Sequence, residues 1–168
     1  MKAEELKKIQ TPIKEAYKTN PDSALITLKA NAKIGNGISC KVETGQKMVE
    51  AGLHPATGGT GMLACSGDLL LEALVACAGV TLTAVATAIE FNLTDGNIKA
   101  EGDLDFRGTL GVDKEAKVGF KSIRLTFQLN TTESQERIDT LLKLTERYCV
   151  VYQTLVCATE VKSKIEAL

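Results

Sequence analysis

Asp68-Leu69-Leu70-Leu71-Glu72-Ala73-Leu74-Val75-Ala76-Cys77-Ala78-Gly79-Val80-Thr81-Leu82-Thr83-Ala84-Val85-Ala86-Thr87-Ala88-Ile89-Glu90 is the segment on which the fold turns. Its interior, residues 69–89, has 21 residues and a single charge, Glu72. That is long and apolar enough to cross a bilayer. The composition argues otherwise: the run is rich in Ala and Thr and contains Gly79. Asp68 and Glu90 flank it, with no adjacent Lys or Arg to set an orientation. A soluble helix that is apolar all round must be buried all round. One chain of 168 residues barely wraps such a helix, so a homodimer sharing one core, with no membrane contact, is the expected solution. The alternative is a helix wrapped by its own sheet.

Upstream, residues 3–19 place Leu6, Ile9, Ile13 and Tyr17 three or four apart among Lys and Glu, which predicts an amphipathic helix stopped by Asn20-Pro21. Ala24 to Ile34 alternates and reads as a strand. Gly35-Asn36-Gly37 turns it into a second strand over Ile38 to Thr44. A third short strand is expected near Gln46 to Ala51, followed by a glycine-rich loop from His54 to Gly61.

Downstream, Ile98 to Phe106 and Ala116 to Leu129 alternate as two strands joined through Gly108-Thr109-Leu110-Gly111. Thr132 and Gln135 form a capping box that opens a helix, with Ile138, Leu141, Leu142, Thr145 and Tyr148 as its inner stripe. Cys149 falls on the same side if that helix continues. An apolar run from Val150 to Ala158 leads to a closing strand around Thr159 to Ile165. No repeat, low-complexity tract or linker interrupts the chain. The fold class is α+β and the organisation one domain over 1–168, with residues 1–20 as an additional N-terminal helix.

The 20 basic and 21 acidic side chains leave a net charge of −1, and aromatics are 4% with no Trp. There is thus no basic stripe and no stacking platform for nucleic acid. Met1-Lys2-Ala3-Glu4-Glu5 has no apolar signal-peptide core, so a cytoplasmic location is expected. Five cysteines with no Cys-x-x-Cys pair argue against a disulfide framework and against a zinc site, and no cofactor is expected.

Cys77 and Cys149 are the candidate working groups. Cys77 sits among small residues, Leu74-Val75-Ala76-Cys77-Ala78-Gly79, which lets another element approach closely. Most buried cysteines are inert packing groups, and a thiol in apolar surroundings has a raised pKa unless positive charge reaches it. Glu72 offers Cys77 no help: five residues at ~100° each put it about 140° away around the helix. Cys40, Cys65, Cys157 and His54 show no ligand spacing, and Gly58-Gly59-Thr60-Gly61 lacks the ending of a phosphate-binding loop.

Two segments resemble the motifs of a known family. Ser66-Gly67-Asp68-Leu69-Leu70-Leu71-Glu72-Ala73-Leu74-Val75-Ala76-Cys77 is similar to the acidic-Leu-Leu-x-x-Ala-Leu-x-x-Cys helix of the OsmC/Ohr family. Tyr148-Cys149-Val150-Val151-Tyr152-Gln153-Thr154-Leu155 resembles the family's second motif, Cys-Pro-Val-Ser-x-x-Leu. The order of elements from about Ser23 to Ile165 fits as well. The resemblance implies an intertwined homodimer, with antiparallel sheets around two long central helices and active sites at the subunit interface. It also implies reduction of organic hydroperoxides. Cys77 would be the peroxidatic thiolate and Cys149 the resolving cysteine, with a dithiol as reductant.

The chain departs from that pattern in its supporting groups. The family's hairpin arginine has no counterpart, since no arginine precedes Arg107. Lys33 or Lys41 would supply charge there, without arginine's bidentate fork. Asn-Pro-Glu at the helix start is replaced by Cys65, Ser66 and Gly67, with Asp68 one place later, and the Pro and Ser of the second motif are Val150 and Tyr152. Catalytic Cys77 and Cys149, supported by Asp68, Lys33 and Lys41, make the first reading. The second is a non-catalytic dimer that binds a small apolar ligand or senses oxidation at the interface. A third is a structural domain with inert thiols.

Overall fold

The computed structural model describes residues 3–34, 40–42 and 51–165, and the side chains of these apart from 3–7, 9, 27–34, 40–42 and 51. Helix α1 (Ala3–Thr19) is followed by a 3-10 turn (Pro21–Ala24) and strands β1 (Leu25–Ile34), β2 (Cys40–Val42) and β3 (Ala51–Gly52). A second 3-10 turn (Pro55–Thr57) and β4 (Ala64–Cys65) lead into α2 (Ser66–Ala88). Then come β5 (Asp95–Asp105), α3 (Phe106–Thr109), β6 (Phe120–Asn130), α4 (Gln135–Tyr148) and α5 (Val150–Val156).

The main sheet has the order β2-β1-β5-β6, antiparallel throughout. β3 and β4 form a separate two-residue parallel pair. Along β5, Gly96, Ile98, Ala100, Gly102 and Leu104 are buried and the residues between them are not, the period-two pattern expected of a strand with one covered face, with Asp105 buried at its end. On β6 the alternation slips once: Gly102 faces Ile123, but Leu104 faces Phe120, so a bulge accommodates Lys121. The Phe120 ring fills the space over Gly102, where a Cβ would lie 2.3 Å from Phe120 Cε1. Glycine is therefore required there by the close approach of the ring.

Helix α2 lies across β1 and β5, and α4 and α5 pack against it. Leu71, Leu74, Val75, Ala78, Leu82 and Ala86 recur at helical spacing and are buried. The opposite face, with Leu70, Ala73, Val80 and Thr87, is exposed in the single chain. Among the described residues α2 is the one helix long and apolar enough to cross a membrane, and half of its apolar window is buried against the rest of the chain. Within one protomer the helix thus has one covered side.

Helix α1 docks through Tyr17, whose hydroxyl donates to the Ala56 carbonyl, and through Gln10, whose Nε2 lies 3.3 Å from the Thr57 oxygen. The glycine-rich loop is thereby an ordered turn. His54 Nδ1 accepts from the Ala56 N–H, the His54 ring stacks on Phe106, and Gly58 takes a left-handed conformation (φ 93°).

Several sequence expectations need correction. The second of the two alternating strands starts at Phe120, not Ala116, and residues 106–109 form a short helical turn capped by Asp105. The cap of α4 is Ser134, whose hydroxyl accepts from the Arg137 N–H, rather than Thr132. Thr132 instead faces the Asn92 amide, 3.3 Å away, across the β5 entrance. The inner stripe of α4 is narrower than expected: Leu141 and Thr145 are buried, whereas Leu142 and Tyr148 are exposed. Residues 159–165 form no strand: no described strand pairs with them, and Val161 and Ile165 are exposed. The Gly35-Asn36-Gly37 turn and residues 46–50 lie outside the described residues.

Asp105 is buried at the end of β5 and receives the Arg107 guanidinium through Nε (3.0 Å) and a second nitrogen (2.6 Å). These hydrogen bonds hold its carboxyl below the usual carboxylate range. A carboxylate whose folded pKa is depressed stabilises the fold above its unfolded pKa of about 3.9, and that stability is lost as pH falls through the folded value. Asp105→Asn is expected to cost about 1–2 kcal/mol in urea melts at pH 7 and progressively less toward pH 3. An equal cost at both pH values would show that charge is irrelevant to the pair.

Candidate functional site

Cys77 sits on the third turn of α2, half-buried, on the side that meets the start of α5. Around its sulfur lie the Val151 and Val150 N–H groups, the Cys149 thiol and the Thr81 hydroxyl. Burial pushes the Cys77 thiol up, but these four donors outweigh it and bring it below the ordinary thiol value. Thr81 is four residues along α2 from Cys77, so it lies on the same face one turn on.

The donors exist because the helix after residue 134 breaks. α4 ends at Tyr148, and Cys149 adopts extended angles (φ −73°, ψ 108°) before α5 resumes at Val150. In a continuous helix the Val150 and Val151 N–H groups would bond carbonyls four residues back. At the break they are released, as the first N–H groups of any helix are. Cys149 is 1% exposed and serves α5 as its N-terminal cap, with Sγ accepting from the Tyr152 N–H at 3.4 Å. Burial, together with the neighbouring Cys77 sulfur, pushes the Cys149 thiol up to about 11. The two thiols are therefore unlike, Cys77 lowered and Cys149 raised.

Of the residues singled out in the sequence, Cys77 and Cys149 are brought together. Asp68 is not part of that contact. It lies in the first turn of α2, about 13 Å along the axis from Cys77 at 1.5 Å per residue. Its carboxyl is pushed up by burial and eased down by nearby His54. Lys33 and Lys41 pair opposite one another in the β1–β2 register, and their side chains lie outside those described. Cys65 is the residue before α2 and half-buried, while Cys157 is exposed, its thiol 3.7 Å from Gln153 Oε1. The donors Thr81, Val150 and Val151 were not singled out in the sequence. Thr81 was legible from its spacing to Cys77, whereas the amides depend on a break that no Pro or Gly announces.

A groove of about 1050 Å³ runs between α2, β6, α4 and α5, and two of its walls, Leu74 and Tyr152, are each three residues along the chain from a cysteine of the pair. Leu74, Leu82, Phe127, Ile138, Leu142 and Tyr152 are among its walls. The apolar face of β6 is only half-buried among the described residues. Tyr152 brings a polar group to this wall. Burial, and then the Glu146 carboxylate bonded to its hydroxyl, push its phenol up.

The sequence model of the OsmC family, described as OsmC-like protein, matches residues 59–164. No match was found among curated proteins. A solved OsmC-like hydroperoxide resistance protein from Jannaschia sp. superposes with a TM-score of 0.64 at 15% identity, covering 86% of this chain and 95% of that one. An OsmC-like protein from Mycoplasma pneumoniae superposes with a TM-score of 0.56, also at 15% identity, covering 80% of this chain and 86% of that one. At that identity the structures speak to the fold.

Proposed function

The chain belongs to the OsmC-like protein family, and on that premise we propose that it is a thiol peroxidase for organic hydroperoxides, with Cys77 as nucleophile and Cys149 as resolving thiol. The observation that carries this reading is the unlike pair: a half-buried thiol lowered by four donors, in contact with a buried thiol raised to about 11. A thiolate is the nucleophilic form, and its stabilisation in an apolar setting normally needs a cation. Two backbone amides and two side-chain donors take the cation's place in this chain.

In the first step the Cys77 thiolate attacks the terminal oxygen of ROOH. A sulfur–oxygen bond forms, the O–O bond breaks, and the leaving alkoxide takes the Cys149 proton to become ROH. Cys77 is oxidised to a sulfenic acid as the peroxide is reduced. The Cys149 thiolate so created attacks the Cys77 sulfur, forming the disulfide and expelling hydroxide. An external dithiol then reduces the disulfide by two exchange steps and leaves as its own disulfide. The groove between α2, β6, α4 and α5 suits an apolar R group.

The reading includes a homodimer. Leu70 of the exposed α2 face and the half-buried face of β6 line one groove. A partner's α2 is the occupant that would cover both, and the dimer shares its core in that way. Val80→Asp, on the exposed face of α2, is expected to halve the mass seen by light scattering at micromolar concentration. A wild-type protein that is already monomeric there would end the dimer reading.

The functional test is peroxide consumption by the purified protein with an organic hydroperoxide and dithiothreitol, run beside the pH profile of Cys77 alkylation. Sustained turnover, with Cys77 alkylated at a lower pH midpoint than a free cysteine at about 8.5, is the expected result. The groove also favours a second reading, a non-catalytic dimer that holds a small apolar ligand or senses oxidation. Formation of the disulfide by peroxide without turnover would select that reading.

A further inference from the structure

Residues 146–153 contain neither Pro nor Gly, so nothing covalent prevents α4 from running on through Cys149. In that unbroken helix the Val150 N–H would return to the Glu146 carbonyl, four residues back. The observed break withdraws this donor, turns it toward Cys77, and leaves the Glu146 carbonyl without its backbone partner. Gln153 replaces it: Nε2 donates to the Glu146 oxygen at 2.8 Å, spanning the kink. The other end of the same amide, Oε1, accepts from the Cys157 thiol at 3.7 Å. The Gln153 backbone N–H is tied to the Cys149 carbonyl at 2.9 Å, so the residue is anchored on both sides of the break.

We propose that Gln153 is a positioning residue: its side chain satisfies the Glu146 carbonyl in place of the Val150 N–H, and so holds the α4–α5 break in which the Val150 and Val151 amides face Cys77. The proposal rests on the reading of Cys77 as the working thiolate. Without the Gln153 donor, the broken arrangement carries an unpaired carbonyl that the continuous helix would satisfy. The balance then moves toward the helix, and the two amides turn away from the sulfur.

The test is a double-mutant cycle read by the pH midpoint of Cys77 alkylation, followed by mass spectrometry of the Cys77 peptide. Gln153→Met keeps length and removes the donor. Val150→Pro imposes the break covalently, because proline is suited to the first helical position and disfavours helical angles at the residue before it. It also removes one of the two amides. Gln153→Met alone is expected to raise the midpoint by at least about one pH unit, the value of one lost hydrogen bond to a charged group, because two amides turn away. Val150→Pro alone also raises it, and adding Gln153→Met to Val150→Pro changes nothing further. Equal shifts from Gln153→Met in both backgrounds, or no shift in the wild-type background, overturn the proposal. A low wild-type midpoint that survives Gln153→Met sinks the latch and leaves the thiolate reading standing. An ordinary midpoint in the unsubstituted protein sinks both.

Discussion

Cys77→Ser is expected to abolish hydroperoxide turnover, by at least about a thousandfold, while leaving the melting temperature within a few degrees of wild type. Serine is nearly isosteric with cysteine, and the four donors around position 77 would bond a hydroxyl as readily. What is lost is the low-pKa, polarisable nucleophile that attacks the peroxide oxygen. Cys149→Ser should behave differently. The Cys77 sulfenic acid still forms but has no neighbouring thiol with which to condense, so a dimedone adduct accumulates at Cys77 and no intramolecular disulfide appears. Turnover then depends on direct reduction by the external dithiol and slows. The asymmetry follows from the two environments, one thiol lowered by donors and the other raised by burial. Full activity in Cys77→Ser, or dimedone labelling of Cys149 in place of Cys77, would reverse or end the assignment.

Leu71→Ala should be the most destabilising single truncation on the cysteine helix, at about 3–5 kcal/mol. Leu71 is completely buried, one turn before Val75 on the face of α2 that covers the sheet. The cost combines lost transfer energy with a cavity between a rigid helix and a rigid sheet, where neighbours collapse poorly. A fall in Tm of about 10 °C is expected for a domain of this size. Leu70→Ala, next in the chain but on the exposed face, should cost under ~1 kcal/mol in the monomer, so the pair separates burial from helix propensity. Similar losses for both would mean that α2 is covered on both faces in solution, as a shared core demands.

Much of the architecture was readable before any tertiary information. Residues 69–89 form one helix because a long apolar run without Pro has no other local solution, and the helix spans Ser66–Ala88. β1, β5 and β6 follow from alternation, since a strand with one covered face must repeat every two residues. The motif resemblance, quoted from the two cysteine segments, pointed to the OsmC family, and the family match over residues 59–164 agrees. Two expectations failed where local pattern was an insufficient guide. Residues 159–165 alternate but pair with no strand among the described residues. Thr132 has the spacing of a capping box, yet its hydroxyl is drawn to Asn92 and Ser134 takes the cap.

By itself, then, the sequence determined which elements form and which cysteines ride on them, because helix and strand periodicity are set by neighbours two to four residues away. Only the tertiary structure decided what those cysteines meet. The contact between Cys77 and Cys149 joins α2 to the α4–α5 break, and the break is encoded by no single residue. It persists because a thiol cap, a glutamine amide and the sulfur of a distant helix together satisfy the groups that a continuous helix would have paired. Such partners are close in space and remote in the chain, and no local pattern of residues announces them.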